Sequence, residues 1–228
     1  EIMPSLVGSE MCIRDSICVG TPSKKDGSID LNYIKSAASS IGRALRHKKK
    51  EHTVIVKSTV VPLTTEDVVL PIVVKKSGMK REELGFGMNP EFLREGSAIK
   101  DAQEPDRIVM GHADPLALKT MQELYKKHKC PKLECRPRTA EFIKYASNSF
   151  LATKISFVNE IANMCNAWGI DFEEVAEGMG MDSRISPLFL RAGAGFGGSC
   201  FPKDVKALSA AAKAVSYTHL TLPTILLV

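Results

Sequence analysis

The chain contains no run of the roughly 18 apolar residues that a membrane helix needs. Its C-terminal residues 220–228 are apolar, but the stretch is short and Pro223 interrupts it. The N-terminal residues lack the charged start and long apolar core of a signal peptide. Cysteines are few and scattered (Cys12, Cys18, Cys130, Cys135, Cys165 and Cys200), so no disulfide ladder is visible and a reducing cytoplasm is expected. His128, Cys130 and Cys135 have no second ligand pair near them in sequence, which argues against a zinc site. Excess charge is small, at +5 over 228 residues, and suits an anionic ligand only weakly. The densest basic run, Arg46-His-Lys-Lys-Lys50, has no interleaved aromatics and closes a predicted helix, where cations suit the dipole, so nucleic acid is not expected as a partner.

A strand-linked dinucleotide turn is also missing. Gly193, Gly195 and Gly198 have the G-x-G-x-x-G spacing, but Pro187-Leu-Phe-Leu-Arg191 precedes them, and no buried β-branched strand leads in. What is present is ordinary for a soluble globular chain, 44% hydrophobic and 25% charged, long enough for one large or two small domains.

Ile17-Cys-Val19 reads as a strand leading to a turn at Gly20-Thr-Pro22. Asp30 is placed to cap a helix over residues 30–47, with Ile34, Ala37, Ala38, Ile41 and Leu45 on one face. Thr53-Val-Ile-Val-Lys57 reads as a buried parallel strand, with Ser58 and Thr59 at the end where open α/β sheets place ligands. A helix is expected over 65–76, strands at Phe86-Gly-Met88, Arg107-Ile-Val-Met110 and Lys132-Leu-Glu-Cys135, and a helix over 114–128. This alternation predicts α/β architecture, the second half of a doubly wound, Rossmann-type parallel sheet. Residues 139–168 then read as one long helix with Phe142, Ile143, Ala146, Phe150, Leu151, Ile155, Val158, Ile161 and Ala162 as its apolar stripe, and 171–179 as a short one. A helix of that length links domains or forms a dimer core.

Chemistry is suggested first by Cys200, in Gly193-Ala-Gly-Phe-Gly-Gly-Ser-Cys-Phe-Pro-Lys-Asp204. A lysine three residues on favours the thiolate, the form that attacks carbon, and an aspartate one helical turn away can orient water. Taken alone, a buried structural cysteine is the simpler account. Pro202 can open a helix over 201–213. Lys144 and Asn148 share a face of the long helix and could hold one oxyanion, although spacing alone favours a plain exposed face. Glu91 and Glu95 are also four apart beyond a strand, either as site groups or as a solvated first helical turn.

Six motifs occur in order: Ile17-Cys-Val-Gly-Thr-Pro22, Val56-Lys-Ser-Thr-Val60, Asn89-Pro-Glu-Phe-Leu-Arg-Glu-Gly96, Pro105-Asp-Arg-Ile-Val109, the helix carrying Lys144 to Glu160, and the Cys200 loop. With them the chain closely resembles the UDP-glucose/GDP-mannose dehydrogenase family. The resemblance implies NAD-dependent, two-step oxidation of a sugar C6 alcohol to the carboxylate, UDP-glucose being the first substrate to expect. GDP-mannose or a UDP-N-acetylhexosamine is the alternative, and an inactive fragment acting only in association is another.

The resemblance also implies roles. Cys200 would be the nucleophile, and Lys144 and Asn148 would hold the oxyanion, with Asp204, Thr59 and Glu91 positioning water. Thr21, Thr59, Glu95 and Lys203 would face NAD. Glu91, Phe92, Leu93, Lys144, Asn148, Phe189, Leu190, Gly193, Gly195 and Gly197 would line the sugar-nucleotide pocket. Arg184 would reach the site of a partner subunit in a homodimer. The expected organisation is a partial NAD-binding domain over 17–138 and a helical dimerisation domain over 139–213. Residues 1–16 and 214–228 do not read as family sequence, so the chain is expected to be an internal fragment, foreign at both ends and weak in binding NAD by itself. No metal and no membrane is expected.

Overall fold

The computed structural model describes residues 13–217. The apolar stretch 220–228, Cys12 and most of the residues expected to be foreign lie outside them. The elements in chain order are β1 (Arg14–Ile17), α1 (Asn32–Ala44), β2 (His52–Val56), a π-helical turn (Thr64–Val69) running into α2 (Leu70–Ser77), β3 (Leu84–Met88), α3 (Ala98–Gln103), β4 (Ile108–His112), α4 (Pro115–Leu124), β5 (Lys132–Cys135), α5 (Pro137–Trp168), α6 (Phe172–Gly180) and α7 (Phe201–Ala214). The chain divides into two compact units. One holds the residues up to Lys24 together with Ile29–Lys144, and the other holds Lys25–Ser28 and the chain from Tyr145 on.

The first unit is built on a five-stranded sheet in the order β1-β2-β3-β4-β5. β1, β2 and β3 are parallel neighbours, and β4 and β5 are parallel to each other, but β4 runs antiparallel to β3. The sheet is therefore mixed, which corrects the expectation of a parallel one. A parallel return usually crosses the sheet through a helix packed on its face, as α4 does between β4 and β5. The β3–β4 connection carries only the six-residue α3, and the chain comes back alongside β3.

Strand β2 is buried over its whole length because both faces of the sheet are covered. Val54 and Val56 point into a core with Ile34, Ala38, Ile41, Val73 and Phe86, while Ile55, between them, packs with Ile108, Met110 and Met121. A side-chain period of two produces this division, and covering both faces requires the continuous apolar run. Helix α1 buries Ile34, Ala38 and Ile41, and Asp30 Oδ1 accepts from Asn32 N at 2.8 Å at its start. Helix α4 is shorter than expected, with Asp114 accepting from Ala117 N at its cap. The exposed β5 is an edge strand, as its sequence indicates.

Gly111 in β4 allows α5 to begin close against the sheet. A Cβ there would stand 2.7 Å from Ala140 Cβ, 2.9 Å from Pro137 Cα and 3.1 Å from Met88 O. These are backbone or short side-chain atoms with little room to move. Gly111→Ala should therefore cost about 1–3 kcal/mol of stability in denaturant unfolding of the full-length protein. An unchanged midpoint would show that the strand and the helix yield easily.

Helices and loops make up the second unit, with no strand among the described residues. Its part of α5 turns small and polar residues inward (Asn148, Ser149, Ala152, Ser156 and Cys165). Both aromatics of the expected core stripe lie outside instead: Phe142 in the first unit and Phe150 in the second are exposed. Asp171 Oδ1 accepts from Glu173 N at 2.9 Å and starts α6. Pro202 sits in the first turn of α7.

Candidate active site

In the first unit, polar groups gather where β1, β2 and β3 end. Thr21 is buried, and its Oγ1 donates to the main-chain oxygen of Thr59 at 2.9 Å, joining the segments after β1 and β2. Ser58 Oγ donates to Val19 O at 2.7 Å and strengthens the same junction. Parallel strands leave their carboxyl ends side by side, and the crevice outside those ends is where such sheets bind ligands.

Lys144 arrives from α5. The residue is 4% exposed, and its Nζ donates to Glu91 O at 2.7 Å and to Glu91 Oε1 at 3.2 Å, 5.3 Å from the centre of the Phe92 ring. The plain exposed face suggested by spacing is thus replaced by a buried ammonium held by a carboxylate. Glu91 and Glu95 do not share a helical turn, because residues 89–94 have no regular structure and α3 begins only at Ala98. The reason is the charge pair beside them: Arg94 binds Asp101 through its main-chain N at 2.8 Å and through its guanidinium, folding the segment back and holding the Asp101 carboxyl well below its usual range. Glu95 and Leu93 lie exposed.

Three residues that the sequence reading missed organise this edge. Asn89 is buried, donates to Val109 O at 2.8 Å, and accepts from Lys57 Nζ at 2.8 Å and from the Tyr125 hydroxyl. A cavity of about 170 Å³ lies beside it, lined by Lys57, Glu91, Phe92, Arg107, Tyr125 and His128 among others. Burial draws the Lys57 ammonium below its ordinary value; Lys144 adds to that shift and Glu91 opposes it. The signal for Lys57 was a cation ending an otherwise apolar strand, directly before Ser58 and Thr59.

In the second unit, Cys200 is an exposed free thiol at the N-terminal cap of α7. Its carbonyl accepts from Asp204 N at 2.9 Å, and its Sγ lies 3.7 Å from Ser199 Oγ. The first-turn N–H groups of a helix and the positive end of its dipole favour an anion at this place. Asp204 is 1% exposed and uses both oxygens: Oδ1 accepts from Lys203 Nζ at 2.6 Å, and Oδ2 from Asn148 Nδ2 at 2.6 Å. Asn148 is 6% exposed, so it too leaves the exposed-face account.

The segment before Cys200 contains no strand, so Gly193, Gly195 and Gly198 form no dinucleotide fingerprint here. Gly195 takes φ of 93°, which favours glycine. Gly193 N donates to Asn159 Oδ1 at 2.8 Å, while Gly197 has open space around it. Leu190 is buried, and Phe189, left-handed at φ of 63°, is partly exposed. Lys154 Nζ holds the preceding loop through Ile185 O at 2.9 Å and Leu188 O at 2.7 Å. Arg184 is exposed and is clasped by Asp182 of its own loop, at 2.6 Å for the shortest contact.

Comparison with known proteins gives two matches to family models. Residues 9–129 match the NAD binding domain of the UDP-glucose/GDP-mannose dehydrogenase family, and residues 138–227 match its central domain. UDP-glucose 6-dehydrogenase AglM of Haloferax volcanii is 47% identical over 207 residues, 88% of this chain and 48% of that protein. GDP-mannose 6-dehydrogenase of Pseudomonas aeruginosa is 43% identical over 206 residues, 89% and 47% of the two chains. The solved structure of a UDP-glucose dehydrogenase from the hyperthermophilic archaeon Pyrobaculum islandicum superposes with a TM-score of 0.90 at 44% identity, covering 94% of this chain and 49% of that one. The chain spans about half the length of the curated relatives it matches.

Proposed function

The chain belongs to the UDP-glucose/GDP-mannose dehydrogenase family, and we propose that in the complete subunit it oxidises the C6 alcohol of a nucleotide sugar to the carboxylate, UDP-glucose first, through a covalent adduct on Cys200. The observation carrying this reading is the thiol at the head of α7 with Asp204 one turn below, its carboxylate bonded to Lys203 and Asn148. NAD, when bound, would supply the hydride acceptor for both oxidations. Thr21, Thr59 and Glu95 would hold its nicotinamide end, the first two being joined by the hydrogen bond between the segments after β1 and β2. Lys203, whose ammonium is paired with Asp204 at 2.6 Å, would face the cofactor from that position.

The residues then have separate tasks. A base at the site takes the C6 hydroxyl proton as hydride leaves, and an aldehyde results. Cys200 sulfur adds to the aldehyde carbon, and the alkoxide of the thiohemiacetal is balanced by donation from Lys144 and Asn148. Loss of the second hydride leaves a thioester. Water, oriented by Asp204, Glu91 and Thr59, then adds to the thioester carbon as one of these carboxylates takes its proton, Cys200 departs as thiolate, and the product acid loses its remaining proton to solvent. Phe92, Leu93, Phe189, Leu190 and the glycines at 193, 195 and 197 enclose the sugar nucleotide.

A homodimer belongs to the same proposal. Phe150, Phe157 and Met164 recur every seven residues on the outer face of α5, and Trp168 follows, 72% exposed. A line of large apolar groups in water favours burial against a second copy, where Arg184 would reach the partner's site. The cysteines among the described residues are free thiols, which fits a reducing compartment, and on that ground we propose the cytoplasm; among the described residues no helix is long and apolar enough to cross a membrane.

The test is stoichiometry with the full-length protein. Incubation with UDP-glucose and NAD should yield two NADH per uronate, with GDP-mannose and UDP-N-acetylhexosamines turning over more slowly. One NADH per sugar with aldehyde release would overturn the covalent route. Preference for GDP-mannose would move the substrate assignment within the family.

A further inference from the structure

The π-helical turn before α2 starts without a local cap. Its capping residue, Leu63, is left-handed at φ of 77° and has no side chain that can accept a hydrogen bond. A helix start leaves main-chain N–H groups that require acceptors. Here the acceptor lies 76 residues further along the chain. Glu141 Oε1 accepts from Thr65 N at 2.8 Å and from Thr65 Oγ1 at 2.6 Å. Glu141 is completely buried. Three positions later on α5 comes Lys144, on the same face of the helix. The segment that Glu141 grips begins with Ser58 and Thr59 and is tightened by Thr64 Oγ1 donating to Val61 O at 2.6 Å.

We propose that Glu141 is a positioning residue: its carboxyl clamps α5 to the segment between β2 and α2, and so sets Lys144 in place relative to Thr59. The proposal rests on reading Lys144 and Thr59 as site residues. Burial lifts the Glu141 carboxyl from its ordinary 4.5 to about 7, the hydrogen bonds from Thr65 and from the main chain of Leu63 restrain the rise, and Glu66 adds to it. The charged groups facing it are Glu66 and Asp67 from the turn and Arg138 from α5, and the Arg138 guanidinium is taken by Glu66 at 2.8 and 3.1 Å. Between those two values the folded chain keeps a proton that the unfolded chain has released. Stability therefore falls as pH rises through that window, and the loss is complete above the upper value.

Three variants of the full-length protein test the clamp. Glu141→Gln keeps an oxygen for Thr65 but cannot ionise, Glu141→Ala removes the clamp, and Thr65→Val removes the hydroxyl donor while keeping the shape. Between about pH 5 and pH 7.5 the wild-type melting temperature should fall relative to Glu141→Gln, and the two should run parallel above that. Glu141→Gln should keep kcat within a few-fold, while Glu141→Ala loses about 10- to 100-fold in kcat with the sugar KM unchanged, as misplacement of a catalytic group predicts. Should the alanine variant not fold, Thr65→Val decides, with a several-fold loss of kcat expected. Parallel melting at every pH, or wild-type kcat in Glu141→Ala or Thr65→Val, would overturn the proposal. If the wild type oxidises no nucleotide sugar, the functional reading fails, and the melting curves alone then decide whether the clamp exists.

Discussion

Cys200→Ser in the full-length protein is expected to lower acid formation by about 10³-fold or more, the scale on which loss of a nucleophile is felt. The substitution changes one atom at the head of α7. The serine should keep the place of the cysteine at the helix start, with its carbonyl still accepting from Asp204 N. The lost property is nucleophilicity, because a hydroxyl does not trap the aldehyde or form the thioester as a thiolate does. Intact-mass spectrometry of the wild type, quenched during turnover, should show the sugar-nucleotide adduct, and the serine variant should lack it. Full turnover by the serine variant would remove Cys200 from the mechanism and leave it as a structural thiol.

Lys144→Ala should cost about 10²–10³ in kcat, the range for losing one preorganised donor to an oxyanion. The ammonium is almost fully buried and bonded to Glu91, so its charge acts with little screening by water. Sugar KM should change little, because the alkoxide exists only after the sulfur has added. Lys144→Arg should not restore the rate, since a planar fork does not occupy the place of a compact ammonium. Melting temperatures must accompany the kinetics, because the substitution also leaves the Glu91 carboxylate without its cation. A kcat within a few-fold of wild type in a folded Lys144→Ala protein would show that the bond to Glu91 is purely structural.

Several features are legible in the sequence because their signals act over a few residues. The bounds of β5, the opening of α7 at Phe201 and the start of α6 after Asp171 follow from an apolar run, a proline at a first helical turn and an aspartate at a cap. The extent of α5 was read to within two residues at its start. The proline after Cys200 likewise marked the thiol as standing at the start of α7, with Asp204 one turn on.

The direction of β4 was not legible, because strand polarity depends on the path of the connection and not on the strand's own residues. Nor was the burial of Lys144 and Asn148. Polar residues on a helix read as solvent-facing, and here they lie inside because their acceptors come from elsewhere in the chain: Glu91, 53 residues away, for Lys144 and Asp204, 56 residues away, for Asn148. The cap that Glu141 provides to Thr65 spans 76 residues. Local propensity and hydrophobic period were carried by the amino-acid order itself, so the elements and the motif-bearing loop were determined there. The pairing of buried charges was decided only by the tertiary structure, because desolvation makes an unpaired charge too costly and the folded chain alone brings distant partners within hydrogen-bonding distance.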